Sequence, residues 1–380
     1  MNTRLAVALA AVVLAIAGTA GCGGAGSTTA QYAEWDRHDR VAGTGQILSV
    51  VTGGPGYVAG GVDETATAFW TSADGRSWEP VAVEAHNAPV AEIVAGGPGF
   101  VAITSSPASI WTSTDGREWT RAADQPDLVD GTPLDLATNG TVFVAVGGGG
   151  FWRSEDGVAW RRTSVPGNPG NQYDVVAGGP GFVAVGSVLL GSMEAKGAIW
   201  TSVDGSTWER LGDDPVFDRA EVVSVARDGD GLVAGGWRSD IESGWFFTPA
   251  VWRSADGLSW TKATVEDSTL APYSPPPSET GALQGALITQ VTHGDGGWLA
   301  VGGDARIDGE SLRQHLAVWT SADGMSWSRL SDLADPDLGA GTSLLFGATT
   351  SSVGADRALI VSPGSIGTSV WVSPPAGDGS

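Results

Sequence analysis

One phrase recurs along this chain and constrains it more than any other feature. WTSADGRSW begins at Trp70, WTSTDGREW at Trp111, WRSEDGVAW at Trp152, WTSVDGSTW at Trp200, WRSADGLSW at Trp252 and WTSADGMSW at Trp319. A seventh start, WVSPP, lies at Trp371. Successive first tryptophans stand 41, 41, 48, 52, 67 and 52 residues apart. That is a blade-sized period, longer than leucine-rich or ankyrin units. A second phrase precedes each copy: GGPGYVAGG from Gly53, GGPGFVAI from Gly96, TVFVAVGG from Thr141 and GGPGFVAVG from Gly178. It recurs more loosely from Asp230, Gly296 and Arg357.

Each unit reads as four short strands. In the third they are expected at 133–137, 141–146, 150–154 and 158–163, all rich in Val, Trp and Thr and bounded by Gly, Pro or Asp. The first hairpin often turns on Pro-Gly, the second on Asp-Gly, where Gly accepts the positive φ such turns demand. No stretch carries a convincing 3.6-residue apolar period. Four-stranded sheets with two apolar faces bury both only by stacking around an axis. The fold expected is therefore all-β: a seven-bladed β-propeller of four-stranded antiparallel blades. The seventh unit lacks a fourth strand, and Ala33-Glu34-Trp35-Asp36-Arg37 matches the fourth strand Arg117-Glu118-Trp119-Thr120-Arg121. An N-terminal strand completing the last blade would close the ring, with 34–37 beside 369–373. Six blades plus a degenerate appendage is the alternative count.

The N-terminus carries an address. Arg4 precedes a 13-residue apolar run from Leu5 to Ala17, too short to span a bilayer and shaped like a secretory h-region. Thr19-Ala20-Gly21-Cys22 resembles the lipobox of bacterial lipoproteins, and Cys22 is the only cysteine of 380 residues. The organisation expected is 1–21 signal peptide, 22–32 flexible tether, 33–373 propeller and 374–380 disordered tail. Lipidation of Cys22 would place the protein on the extracytoplasmic side of the cell membrane, held there by its N-terminal lipid only.

Ser-x-Asp-Gly-x-x-Trp resembles the Asp-box of BNR-repeat, sialidase-like propellers, one residue shorter between Asp and Trp than the common form. The resemblance implies a propeller and leaves the activity open. Asp74, Asp115, Asp156, Asp204, Asp256 and Asp323 are read as structural, each capping backbone N–H groups of its own turn. Sialidases use an arginine triad, an early Arg-Ile-Pro segment and a Tyr–Glu pair. There is no Arg-Ile-Pro here, and none of those residues transfers. Arg37, Arg121, Arg153, Arg162, Arg210, Arg253 and Arg329 sit beside motif tryptophans, where rim packing accounts for them.

Other chemistry leaves little trace. His38, His86, His293 and His315 have no metal-ligand spacing, so no metal and no cofactor are expected. Asp228-Gly229-Asp230-Gly231 is read as a hairpin turn. The formal net charge of −23, −24 once Arg4 is cleaved away, offers no basic footprint for nucleic acid. No catalytic residue can be named.

The asymmetry of the repeat points to a surface. In antiparallel blades the first–second and third–fourth turns share one face, and the remaining connections share the other. The long insertions, 187–196, 237–248, 265–280 and 304–314, all belong to the second class and to units four to six. Binding commonly resides on loops of a rigid scaffold. The candidates there are Arg238, Trp245, Phe246, Phe247, Tyr273, Arg306 and Arg313. The leading reading is a monomeric, non-catalytic binding or scaffolding protein for a cell-envelope protein or glycan. The alternatives are a divergent sialidase-like glycoside hydrolase and, by fold analogy with propellers that serve photosystem assembly, an assembly factor.

Overall fold

The computed structural model describes residues 35–97, 99–129, 131–163, 165, 170–190, 194–229, 231–240, 246–266, 284–294, 296–308, 311–330, 350–353, 357–364 and 367–374. The signal peptide, Cys22 and nearly all of the tail lie outside them, as do Trp245 and Tyr273. The described chain is nearly all strand, with one helical turn at Pro126–Val129 and a 3₁₀ turn at Pro215–Phe217.

The strands assemble as the repeat implies. Unit three forms Asp135–Thr138, Phe143–Gly147, Gly150–Ser154 and Trp160–Thr163, paired in that order. Units one, two and four form equivalent four-stranded antiparallel sheets. Units five and six are joined into one nine-stranded sheet by two parallel contacts. Phe246 and Phe247 pair with Gln284 and Gly285, and Thr264–Glu266 runs beside Ser326, Trp327 and Ser328. The expectation that 265 begins a loop is thereby corrected. Thr264 N–H donates to the Met325 carbonyl at 2.8 Å, drawing the chain along the outer edge of unit six.

Packing between units rests on the two tryptophans of each repeat. Trp111, Trp152, Trp200, Trp252 and Trp319 are fully buried. The closing tryptophan lies against the preceding unit: Trp119 stacks on Phe69 with centroids 4.0 Å apart, and Trp208 lies 4.3 Å from Phe151. Truncating a buried tryptophan to alanine costs about 3–5 kcal/mol. The first strand of each unit lies against that of the next, and that of unit seven lies against that of unit one.

Unit seven is completed from the other end of the chain. Asp36, Arg37 and His38 pair antiparallel with Val372, Trp371 and Val370. The Arg37 guanidinium sits 5.4 Å from the Trp371 ring centroid, as Arg162 sits over Trp152 and Arg329 over Trp319 at 5.6 Å. Thr368 Oγ1, on the same unit-seven strand, accepts the N–H of Ile47 in unit one at 2.9 Å. Deleting residues 33–40 uncovers Trp371 and the apolar contacts unit seven shares with units six and one. The melting temperature should fall by about 5 °C or more; an unchanged melting curve would show that this pairing contributes nothing.

Candidate functional site

The Ser-x-Asp-Gly turns are self-contained. In unit two, Asp115 Oδ1 accepts the N–H of Arg117 at 2.8 Å and of Glu118 at 3.1 Å. Ser113 Oγ accepts the Gly116 N–H at 2.8 Å, and Trp119 Nε1 donates to the Gly116 carbonyl at 3.0 Å. Gly116 takes φ +80°, where a side chain would be strained. The same bonds recur around Asp74, Asp156, Asp204, Asp256 and Asp323. The two N–H donors hold the Asp115 carboxyl below its ordinary range. These six carboxylates are committed to their turns.

A second set of polar groups, missed in the repeat phrases, runs through the interior. Ser49, Glu92, Asp135, Asp174, Ser224 and Gln290 occupy one register position, opposite Gly60, Ile103, Val146, Val185, Gly235 and Val301. Thr350 holds that position in unit seven, opposite Val361. All six described side chains are buried. Ser49 Oγ accepts the N–H of Ile93 at 2.9 Å, and Asp135 Oδ2 that of Val175 at 2.6 Å. Asp174 Oδ2 accepts from Val225 at 2.7 Å, and Ser224 Oγ from Val291 at 3.1 Å. Each acceptor thus reaches into the next unit, to the residue after its own counterpart. The signal was available: a polar residue stands four positions before the first-hairpin turn in an otherwise apolar strand.

Asp135 and Asp174 form a pair within this set. Both side chains are buried, and neither Oδ1 has a hydrogen-bond partner. Burial and then the neighbouring Asp174 charge push Asp135 well up, while burial raises Asp174 to about 7. Each of the two ties its own unit to the next through the N–H it accepts.

The insertion face is built from extended hairpins. The second and third strands run Gly181–Leu190 with Glu194–Ser202, Gly231–Asp240 with Phe246–Ser254, and Gly297–Asp308 with Ser311–Ser321. In units one to three the same hairpins close early, at Asp63/Ala66, Ser105/Ala108 and Gly147/Gly150. The described parts of 187–196, 237–248 and 304–314, expected as loops, are therefore paired strand, while 267–280 lies outside the described residues. Arg306 and Arg313 lie directly opposite one another in the unit-six hairpin.

Beneath these hairpins Leu134, Tyr173, Val223, Trp237, Leu287 and Ala305 form one apolar cluster. Tyr173 and Val223 are the extra residues of β-bulges, which re-aim a side chain out of the ladder. Phe247 packs on this cluster, edge-on to Trp237 at 6.4 Å, so it braces the hairpin. Arg238 Nε donates to the Asp218 carbonyl at 3.2 Å, and Lys196 Nζ pairs with Asp218 Oδ1 at 2.8 Å. Phe246, half-buried, belongs to the same hairpin.

A Tyr–Glu pair does exist at this face. Tyr173 Oη donates to Glu221 Oε2 at 3.2 Å and lies 3.1 Å from Ser187 Oγ. Burial, then the Glu221 charge, pushes the phenol well above its ordinary value, and burial raises Glu221 too. A phenolate nucleophile needs the opposite shift. Among the described residues no group of three His, Cys, Asp or Glu side chains is placed to hold a metal ion.

Comparison with known proteins supports the architecture. No family model matches the chain, and no curated protein matches it. Solved structures do. YCF48 bound to a D1 peptide aligns with TM-score 0.52 and 14% identity over 90% of this chain and 94% of that one. A virginiamycin B lyase from Staphylococcus aureus aligns with TM-score 0.52 and 10% identity over 90% and 99%. An ancestral GH74 enzyme aligns with TM-score 0.51 and 14% identity over 84% of this chain and 44% of its own. The fold is that of a β-propeller. A peptide binder, a lyase and a glycoside hydrolase share it, so the fold leaves the activity open.

The carboxylate pair sets a pH dependence. Between the ordinary value of 3.8 and about 7, the native state holds a proton on Asp174 that the unfolded chain has released. Stability from this group therefore falls as pH rises through that window and is level above it. Asp174→Asn keeps an acceptor for Val225 and removes the charge. The variant should lose less melting temperature than the parent between pH 5 and pH 8; parallel losses would show that the pair does not titrate there.

Proposed function

We propose that the chain is a closed seven-bladed propeller, tethered through a lipid on Cys22, that binds a cell-envelope protein or glycan and does not catalyse a reaction. Support for the ring comes from the contact between the first strands of units seven and one and from the Asp36–His38 pairing. Support for anchoring is the sequence around Cys22 alone. The binding reading is carried by one observation: three successive units extend the same hairpin on the same face, while units one to three keep it short.

Paired strands cost less to hold in place than open loops, so a surface built on them is preorganised for a partner. Arg and aromatic side chains dominate such interfaces; Arg238 and Phe246 belong to the unit-five hairpin and Arg306 faces Arg313 in that of unit six, while Trp245 and Tyr273 are candidates from the sequence alone. The propeller that holds a peptide is a precedent for protein binding on this fold. Beyond the motif resemblance, the sialidase-like reading has the Tyr173–Glu221 contact in its favour, and the shift on Tyr173 runs against it.

Two experiments test the proposal. Trp245→Ala with Phe246→Ala should weaken capture of an envelope partner about tenfold or more, with the melting temperature nearly unchanged. Arg117→Ala on the Ser-x-Asp-Gly face should leave capture intact. Equal loss from both faces would place the site elsewhere. Cys22→Ser should release the processed protein from membranes, since the thiol is the lipid acceptor and stable anchoring takes at least two chains. Membrane association of the processed Cys22→Ser protein would refute the anchor.

A further inference from the structure

Strand polarity fixes the end of the molecule from which the N-terminal segment arrives. Asp36 opposes Val372, the last residue of Gly367–Val372, and the chain then runs antiparallel to that strand. In the other units the corresponding end of the third strand leads into the Ser-x-Asp-Gly turn. Residues before Asp36 therefore join the domain on the turn face. The extended hairpins close at the opposite face. Four large apolar side chains stand exposed among the described residues. Val158, Val203 and Leu258 belong to the turns of three successive units, and Leu189 to the unit-four hairpin.

We propose that the turn face is directed toward the bilayer and that the hairpins are presented away from it. The inference rests on Cys22 carrying the lipid. Fourteen residue steps separate Cys22 from Asp36, and a Gly/Ser/Thr-rich chain of that length has a root-mean-square span of about 20 Å. Val372 corresponds in its repeat to Thr320, which pairs with Leu299. From Leu299 the unit-six hairpin continues nine residues to Asp308, a rise of about 30 Å. Bringing its end to the lipid would stretch the tether well past its relaxed span and lead it round the rim. With the turn face toward the bilayer, no stretch is needed.

The test anchors the protein chemically. Residues 22–380 are coupled through the single thiol of Cys22 to a maleimide lipid in phosphatidylethanolamine–phosphatidylglycerol vesicles. p-Azidophenylalanine, placed at position 203 or at position 189, carries a donor dye, and the lipid carries the acceptor. Both sites are exposed, at 76% and 62%, so the fold should tolerate either label. Energy transfer from position 203 should exceed that from position 189 about twofold, given the short tether. Equal transfer, or more from position 189, would overturn the orientation. Vesicle flotation of the full chain expressed in a bacterium, beside Cys22→Ser, reports separately on lipidation. Failure to float would overturn the anchor, and with it the orientation in the cell, whatever the chemically anchored protein shows.

Discussion

The arrangement of the units depends on one hydrogen bond repeated between neighbours. Apolar sheet faces can stack in many registers, because dispersion and burial are nearly indifferent to small slides. A buried acceptor opposite a buried backbone donor is not indifferent. Slipping by one residue would strand both, at about 1–3 kcal/mol for each group left unsatisfied. Ser49, Asp135, Asp174 and Ser224 each take the N–H of the next unit at 2.6–3.1 Å, and so pin the stacking of the tryptophan layers outside them. The bulge in front of the position does a second service. It turns Tyr173 and Val223 out of the ladder and into the apolar cluster below the hairpins.

A core fixed in this way leaves the connections free to vary, and among the described residues the hairpins lengthen on one side. The hairpins of units four to six grow by adding ladder pairs, such as Leu189↔Ala195 and Ile307↔Leu312. The unit-five hairpin is braced from below by Phe247 on Trp237, and sideways by the parallel contact with Gln284 and Gly285. The opposite face stays uniform because its turns satisfy their own backbone groups. The resulting body has one elaborated face and one plain face, with the N-terminal strand entering on the plain one.

Much of this was legible in the repeat itself. The tryptophan spacing and the Asp-Gly turns gave the strands of unit three to within about two residues, and the match of Trp35 to Trp119 located the strand that pairs with unit seven. The structural role of the six aspartates followed from Asx-turn chemistry. The buried polar position was harder to see, because its residue type changes over units one to six: Ser, Glu, Asp, Asp, Ser and Gln. Only its constant place in the strand unites it. The insertions looked like loops because their composition is mixed, yet ladder pairing across the hairpin overrode that local signal. Phe247 could not be told from Phe246 by sequence, since alternation along a strand sends neighbours to opposite faces. The crossing of Thr264–Glu266 to unit six left no sequence trace, as it depends on the Met325 carbonyl in another repeat.

The most direct measurement of the account is amide hydrogen exchange, resolved by residue, at Ile93, Val175, Val225 and Val291. Their N–H groups are the donors of the four inter-unit bonds. They should exchange as slowly as the global unfolding reaction allows. Asp135→Ala should speed Val175 selectively and leave Ile93 protected. Exchange at loop-like rates in the parent protein, or no selective change at Val175, would show that the units are held by apolar stacking alone.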